Sequence, residues 1–337
     1  MGRRGQGLRA IAWALAVLGV LLALAAGWAW RWIDAPLALR QPVVELSIEP
    51  GTPPRAVAEA WVAAGVDTDA RLLYEWFRWS GQARRLRAGS YEVETGVTPR
   101  ALLDKMVQGR EVLETVRLPE GATMREWRAL LAQARHLKPL TAGLDEAALM
   151  AAVGAPGQRA EGRFFPDTYA YSRGVSDLTV LKRAHAAMQR HLESTWARRA
   201  PDTPLKSPDE ALILASIVEK ETGRADERGL VAGVFVNRLR IGMVLQTDPT
   251  VIYGLGEAFD GNLRKVHLQT DGPYNTYLRP GLPPTPISMP SLAALQAAVN
   301  PAKTAALYFV ARGDGSSAFS TNLDDHNRAV DRYQRRR

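Results

Sequence analysis

Residues 207–223 read SPDEALILASIVEKETG, and both ends of this stretch carry the marks of a helix. Ser207 suits the N-cap, Pro208 the first helical position, and Glu210, three residues on, completes a capping box. Gly223 stands where a helix C-terminus stops. Between them Ala211–Val218 is apolar almost all round, which predicts a buried helix. Glu219 closes the apolar run on the face of Leu212, Ala215 and Ser216, so it is predicted to point inward; Glu221 is predicted to face water. A carboxyl in the position of Glu219 loses solvation and meets the negative end of the helix dipole. Both raise its pKa toward the range in which a general acid works near neutrality. The competing reading takes Glu219 as one solvated member of a polar helix end.

Toward the C-terminus, Asp226–Leu239 patterns as a helix with Val231, Val234, Phe235 and Leu239 inward. In Gln246–Gly254, QTDPTVIYG, Asp248 is a natural N-cap and Pro249 a natural first helical residue. Tyr274-Asn275-Thr276-Tyr277 and the Pro-rich Gly281–Ile287 form a stiff loop of amide, hydroxyl and aromatic groups, the kind that bind sugars and that also build ordinary turns. Leu292–Ala298 reads as a helix, and Ala306–Arg312 with Ala318–Ser320 as a hairpin.

Toward the N-terminus, Val175–Arg199 reads as a long helix with Leu178, Leu181, Ala184 and Met188 inside. Glu161–Tyr169, EGRFFPDTY, is a dense turn; Thr123–Gln133 is a helix and Val112–Leu118 a strand. Residues 42–112 form a smaller unit: strand Val43–Ile48, helices Pro53–Ala64 and Ala70–Trp79, strand Arg87–Val93, helix Pro99–Gln108. Trp61, Trp76 and Trp79 are predicted to pack inward. Asp34–Gln41 is read as a short tether. Ala10–Trp30 is 21 residues without a charge, enough to cross a bilayer. Arg3, Arg4 and Arg9 precede it, placing the N-terminus in the cytoplasm, and Trp28 and Trp30 suit the outer aromatic belt. A cleaved signal peptide is the alternative, through Ala23-Leu24-Ala25, but the apolar run continues past that point.

The net charge of +8 sits mostly at the ends, in Arg3, Arg4, Arg9, Arg31 and the terminal RYQRRR. The near-neutral body has no basic stripe with interleaved aromatics, which argues against a nucleic-acid surface. With no cysteine there is neither a disulfide framework nor a thiol nucleophile. The five histidines show no paired ligand spacing, so no metal and no cofactor is predicted.

Five ordered motifs carry a resemblance. They are Ser216–Thr222, Gln246–Gly254, Tyr274–Tyr277, Gly281–Pro284, and Phe319–Leu323 with His326-Asn327, joined upstream by Glu161 and Phe165–Tyr169. In these the chain resembles the endolytic murein transglycosylases (MltG- or YceG-like). Arg163, where an aromatic is usual, and Ser288–Ser291, where an Asn-Pro-Gly turn is usual, depart from the pattern. The resemblance implies an α+β fold: a single transmembrane helix within residues 1–36, a small LysM-like βααβ glycan-binding module at 37–112, and a larger mixed α+β catalytic domain at 113–337. It implies Glu219 as the one catalytic acid, cutting between N-acetylmuramic acid and N-acetylglucosamine to leave a 1,6-anhydro end, with Gln246, Asp248, Tyr274, Asn275 and Asn322 as sugar-positioning candidates. It further implies a single-pass protein of the bacterial inner membrane facing the periplasm, peptidoglycan strands as substrate, wall synthases of the penicillin-binding class as neighbours, and a role in limiting strand length.

Two rivals belong to other classes. Ser216 and Lys220, four apart, could be a Ser–Lys peptidase dyad, though a mid-helix serine leaves little room for an oxyanion hole. The other is a non-catalytic wall-binding scaffold.

Overall fold

The computed structural model describes residues 3–335; Met1, Gly2, Arg336 and Arg337, including the last two arginines of the C-terminal basic run, lie outside the described residues. The chain divides into two units, one made of the residues up to Glu114 with Tyr171–Gly174, the other of Thr115–Ala170 with the residues from Val175 on.

The first unit begins with α1 (Arg3–Ile33), in which Leu15–Ile33 is a 19-residue stretch of mean hydropathy 1.6, long and apolar enough to cross a membrane. β1 (Ala38–Leu39), β2 (Val43–Ile48), α2 (Pro54–Ala64), β3 (Val66–Asp67), α3 (Ala70–Trp79), β4 (Gly89–Glu94) and α4 (Pro99–Gln108) follow. β2 and β4 pair antiparallel, from Val43 opposite Glu94 to Ile48 opposite Gly89, so strand, two helices and strand close on themselves. The helix starts are local: the Asp69 carboxylate accepts the N–H groups of Arg71 and Leu72, and the Thr98 hydroxyl accepts that of Ala101. Gly109, at φ 67°, ends α4 in the left-handed conformation. Val57, Trp61, Leu73, Phe77, Leu102 and Met106 form the core, with the Trp61 indole N–H donating to Met106 Sδ.

Two expectations fail in this unit. Asp34–Gln41 is not a free tether: β1 within it pairs with β3, and Leu37 N–H donates to Val97 O. Among the three tryptophans only Trp61 is fully inside; Trp76 is half-buried and Trp79 is 78% exposed. Helical spacing puts Trp76 and Trp79 one turn apart, but the buried face of α3 runs through Leu73 and Phe77.

The second unit runs through β5 (Leu113–Leu118, whose first two residues belong to the first unit), α5 (Met124–Gln133), α6 (Glu146–Val153), β6 (Asp167–Ser172, paired with β5), α7 (Asp177–Ala197), α8 (Pro208–Glu221), α9 (Arg228–Arg240), α10 (Asp248–Leu255), α11 (Lys265–Gln269), α12 (Leu292–Val299), the hairpin β7 (Tyr308–Ala311)–β8 (Ser317–Ser320), and α13 (Leu323–Val330). The predicted dense turn at 161–169 thus ends inside a strand, and on α7 Val180 and Leu192 are buried while Leu178 is partly open.

α8 is the centre of this unit. Ala211, Leu212, Leu214, Ala215, Ile217 and Val218 have no exposed surface, and α7, α9, α10 and α12 pack around it. Its N-terminus departs slightly from the predicted capping box. Ser207 Oγ accepts the Glu210 N–H, but the Glu210 carboxylate reaches back to the N–H of Lys206 at 2.6 Å, one residue earlier than the box requires. At the other end Thr222, not Gly223, stops the helix, with φ −145° and ψ 128°.

Candidate active site

Glu219 lies in the last turn of α8, half-buried, with its carboxylate turned toward the start of α12. Its Oε2 accepts the backbone N–H of Ser291 at 2.9 Å and the Ser291 hydroxyl at 2.5 Å. Ser291 is the N-cap of α12, and its Oγ also accepts the N–H of Ala294. One serine thus starts a helix and fixes the carboxylate of another. The loop before it is equally held. Ser288 Oγ donates to Ser216 O, Ile287 N–H to Ser216 Oγ, and Met289 exchanges backbone hydrogen bonds with Gly121 and Ala122. The departure at Ser288–Ser291 therefore supplies the direct partner of Glu219, a role the sequence did not reveal.

The Ser216–Lys220 pairing is absent. Ser216 is fully buried, donating to Ile213 O and accepting from Ile287 N–H, while Lys220 points to water and donates to Gly121 O. Glu221 corrects the sequence reading. Its side chain turns back to accept the Thr247 hydroxyl, and burial raises its carboxyl pKa, against the pull of that bond. The helix ends here and the Gln246–Gly254 segment folds over it, a tertiary contact that helical periodicity does not contain.

That contact joins three of the motifs. Thr247 N–H donates to Thr276 Oγ1, Gln246 N–H to Thr276 O, and Thr250 Oγ1 and Thr276 Oγ1 are 2.8 Å apart. Gln246 is exposed and sits at φ 49°, a left-handed conformation costly for a residue with a side chain. Asp248 is not the N-cap; Thr247 holds that position, and the exposed Asp248 carboxylate instead accepts the Tyr277 hydroxyl at 2.5 Å. Asn275 is buried with its amide spent: Nδ2 donates to the carbonyls of His267, Leu268 and Thr270, and Oδ1 accepts Tyr277 N–H. Asn322 is exposed and caps α13 through Asp325 N–H, away from this group.

Beside α8 lies a cleft of about 700 Å³ lined by, among others, Lys220, Glu161, Tyr253, Tyr274, Phe259 and Ile287. Tyr253 and Tyr274 meet edge to face with ring centres 5.0 Å apart, and the Tyr274 hydroxyl bonds Thr285 Oγ1 at 2.8 Å. Glu161 is the buried acid of this cleft, only 7% exposed. Desolvation pushes its carboxyl up to about 7, although Met124 N–H and the Tyr253 hydroxyl both donate to it. Its position in EGRFFPDTY was visible in the sequence, but its burial was not. The next residue locks it in place. Gly162 has φ 77°, and a Cβ there would lie 2.5 Å from Pro286 Cβ. Gly162→Ala is therefore expected to cost about 2–4 kcal/mol and to shift the Pro286–Ser288 loop, which brings Ile287 to the cleft, read as a lowered melting temperature with lowered turnover. Arg163, the other departure, has its Nη1 on Asp209 at 2.7 Å, tying this turn to the start of α8. Among the described residues no three His, Asp or Glu side chains gather as a metal would need.

The sequence profile of the YceG-like family matches residues 46–332, a span that takes in the buried helix, the tyrosine-lined cleft beside it and the motif loops. The chain belongs to the YceG-like family. It is 28% identical over 307 residues to an endolytic murein transglycosylase of Bacillus subtilis (strain 168), covering 86% of this chain and 84% of that one. It is 29% identical to an endolytic murein transglycosylase of Streptococcus pneumoniae serotype 2 over 77% of this chain, spanning about half (53%) of the pneumococcal protein. Its structure is similar to that of a YceG-like protein from Listeria monocytogenes, with a TM-score of 0.54 and 26% identity over 85% of this chain and 98% of that one.

Proposed function

We propose that the chain is a lytic transglycosylase that cuts peptidoglycan glycan strands internally, with Glu219 acting first as acid and then as base. The observation that carries this reading is the clamp on Glu219: Oε2 accepts the Ser291 N–H and hydroxyl at the end of a largely buried helix. Oε2 faces an N–H donor, so the transferable proton belongs on Oε1. Protonated Glu219 donates it to the glycosidic oxygen as the bond from muramyl C1 to that oxygen breaks. The C6 hydroxyl of the same sugar then closes onto C1 and returns its proton to Glu219, leaving a 1,6-anhydro end. No water attacks, so the second carboxylate of ordinary glycosidases is not needed. Tyr274, in the cleft wall, suits ring-face contact with a sugar, and Asp248 and Gln246 present exposed polar groups on the neighbouring motif loop. Asn275 and Asn322 act by holding their loops.

In this reading α1 is a single-pass anchor of the inner membrane, the rest of the chain faces the periplasm, and residues 37–112 form a LysM-like glycan-binding module ahead of a catalytic domain at 113–337. Cutting nascent strands near the membrane would limit their length and place the protein beside penicillin-binding synthases. Ser291→Ala is expected to slow turnover about tenfold by removing a hydrogen bond to a charged group. It should also cost about 1 kcal/mol through the lost cap, whereas Ser291→Thr should restore both rate and melting temperature.

The deciding experiment is digestion of purified peptidoglycan by the full chain in detergent, with products read by mass spectrometry. Internal fragments ending in anhydro-muramic acid support the reading. Reducing ends would make the protein a hydrolase and point to Glu161 as the second carboxylate. No cleavage under any condition, with glycan still bound, would favour the scaffold.

A further inference from the structure

The end of α1 and the small unit are fastened to each other without slack. Trp32 packs on the core of that unit, Ala35 N–H donates to Trp32 O, and Leu37 N–H to Val97 O. Arg100, on α4, donates through Nε (2.6 Å) and Nη2 (3.1 Å) to the two carboxylate oxygens of Asp34. The same guanidinium lies 5.9 Å from the Trp30 ring centre and 5.7 Å from that of Trp76 on α3. A bidentate pair between two aromatic rings is a rigid joint, because the planar fork fixes both distance and angle.

One helical turn beyond Trp76, Trp79 projects into solvent, 78% exposed. It is held there: its indole N–H donates to Glu75 Oε2 at 3.1 Å and Arg78 stands 5.6 Å over its ring. The stretch 70–89 contains Arg71, Arg78, Arg84, Arg85 and Arg87 against a single acid, Glu75, which pairs with Arg78 at 2.7 Å. Arg84 and Arg85 are exposed and make no ion pair among the described residues. A fixed, exposed tryptophan with unpaired arginines after it, joined rigidly to the end of an apolar span, is suited to the headgroup layer. Amphipathic rings settle there and cations meet lipid phosphates.

We propose that the small unit lies on the anionic surface of the bilayer through its Trp79–Arg85 edge, rather than standing off from it. This rests on α1 being a membrane anchor. The joint at Arg100 would then set the height and tilt of the whole unit above the bilayer.

The chain has no cysteine, so single labelling sites can be added to the full protein. Nitroxide labels at Gln82→Cys, within that edge, and, separately, at Leu24→Cys would be compared in micelles, in phosphatidylcholine vesicles, and in vesicles with phosphatidylglycerol at roughly one lipid in four. The readout is collision with a water-soluble nickel chelate and with oxygen. The expected result is a label at 24 inside the hydrocarbon, and a label at 82 shielded from nickel about threefold only on the anionic vesicles. Arg84→Ala with Arg85→Ala should abolish that shielding. A label at 24 in hydrocarbon with 82 as open as in micelles overturns the proposal and leaves the anchor standing. A label at 24 in water removes the anchor and the proposal together. Shielding at 82 that is equal in micelles means a protein contact and also overturns it.

Discussion

Glu219→Gln is expected to reduce formation of anhydro-muramic ends by about 10³-fold, the weight of a general acid that must also serve as the base. The amide oxygen still accepts the Ser291 donors that Oε2 accepts, so the fold and the α12 cap persist. Stability should therefore change little, by about 0.5 kcal/mol or less, as for other changes away from a packed core, and the melting temperature should stay close to that of the wild type. Digestion assays and thermal melts on the same preparation separate the two. Retained turnover in Glu219→Gln would show that the acid lies elsewhere, with the buried Glu161 the first place to look.

Glu161→Gln is expected to change the pH dependence of stability. Burial lifts the Glu161 carboxyl from its ordinary value of 4.5 to about 7. The unfolded chain therefore ionises this group first as pH rises. Its contribution is fully present below about pH 4.5 and is lost progressively as pH climbs through about 7. Above that, the folded protein carries a buried charge at a cost of up to about 3 kcal/mol. For a unit of this size that corresponds to a fall on the order of 5–10 °C in melting temperature between pH 5 and pH 8. The amide that replaces the carboxyl in Glu161→Gln cannot ionise and keeps an acceptor for Met124 N–H, so the variant should lose that decline and be the more stable protein at pH 8. Calorimetric scans of both proteins across pH test this; parallel curves would mean that Glu161 stays charged in the fold. Activity adds an independent readout. Glu161 positions the Tyr253 hydroxyl, so the wild-type profile should bend near pH 7 and that of Glu161→Gln should not.

How much of this was legible varies with the range of the forces involved. Segments whose order is local came through the sequence nearly whole. The expected spans of α3 and α4, Ala70–Trp79 and Pro99–Gln108, are the observed ones, and in the structure Asp69, Thr98 and Gly109 cap them locally. The apolar run Ala211–Val218 correctly announced a helix surrounded on every side. The five motifs were enough to suggest the family that the sequence profile confirms.

The misreadings share a cause. Periodicity within α8 alone sends Glu221 to water, and within α3 alone sends Trp79 inward beside Trp76; the structure does neither. Periodicity within one helix does not say which of its faces finds a partner: a loop folds over the end of α8, and Trp79 is left exposed. Asp248 looked like an N-cap on local grounds, yet Tyr277, 29 positions away, takes its carboxylate.

Residue order alone therefore settled most of the helices, the apolar span and the position of Glu219 at the end of a buried helix, since these follow from side-chain periodicity and nearest neighbours. Only the tertiary structure selected Ser291 as the partner of Glu219, buried Glu161 under Tyr253 and tied α1 to the small unit through Arg100. Desolvation and long-range hydrogen bonds depend on groups tens of residues apart, and no local pattern encodes which of them meet.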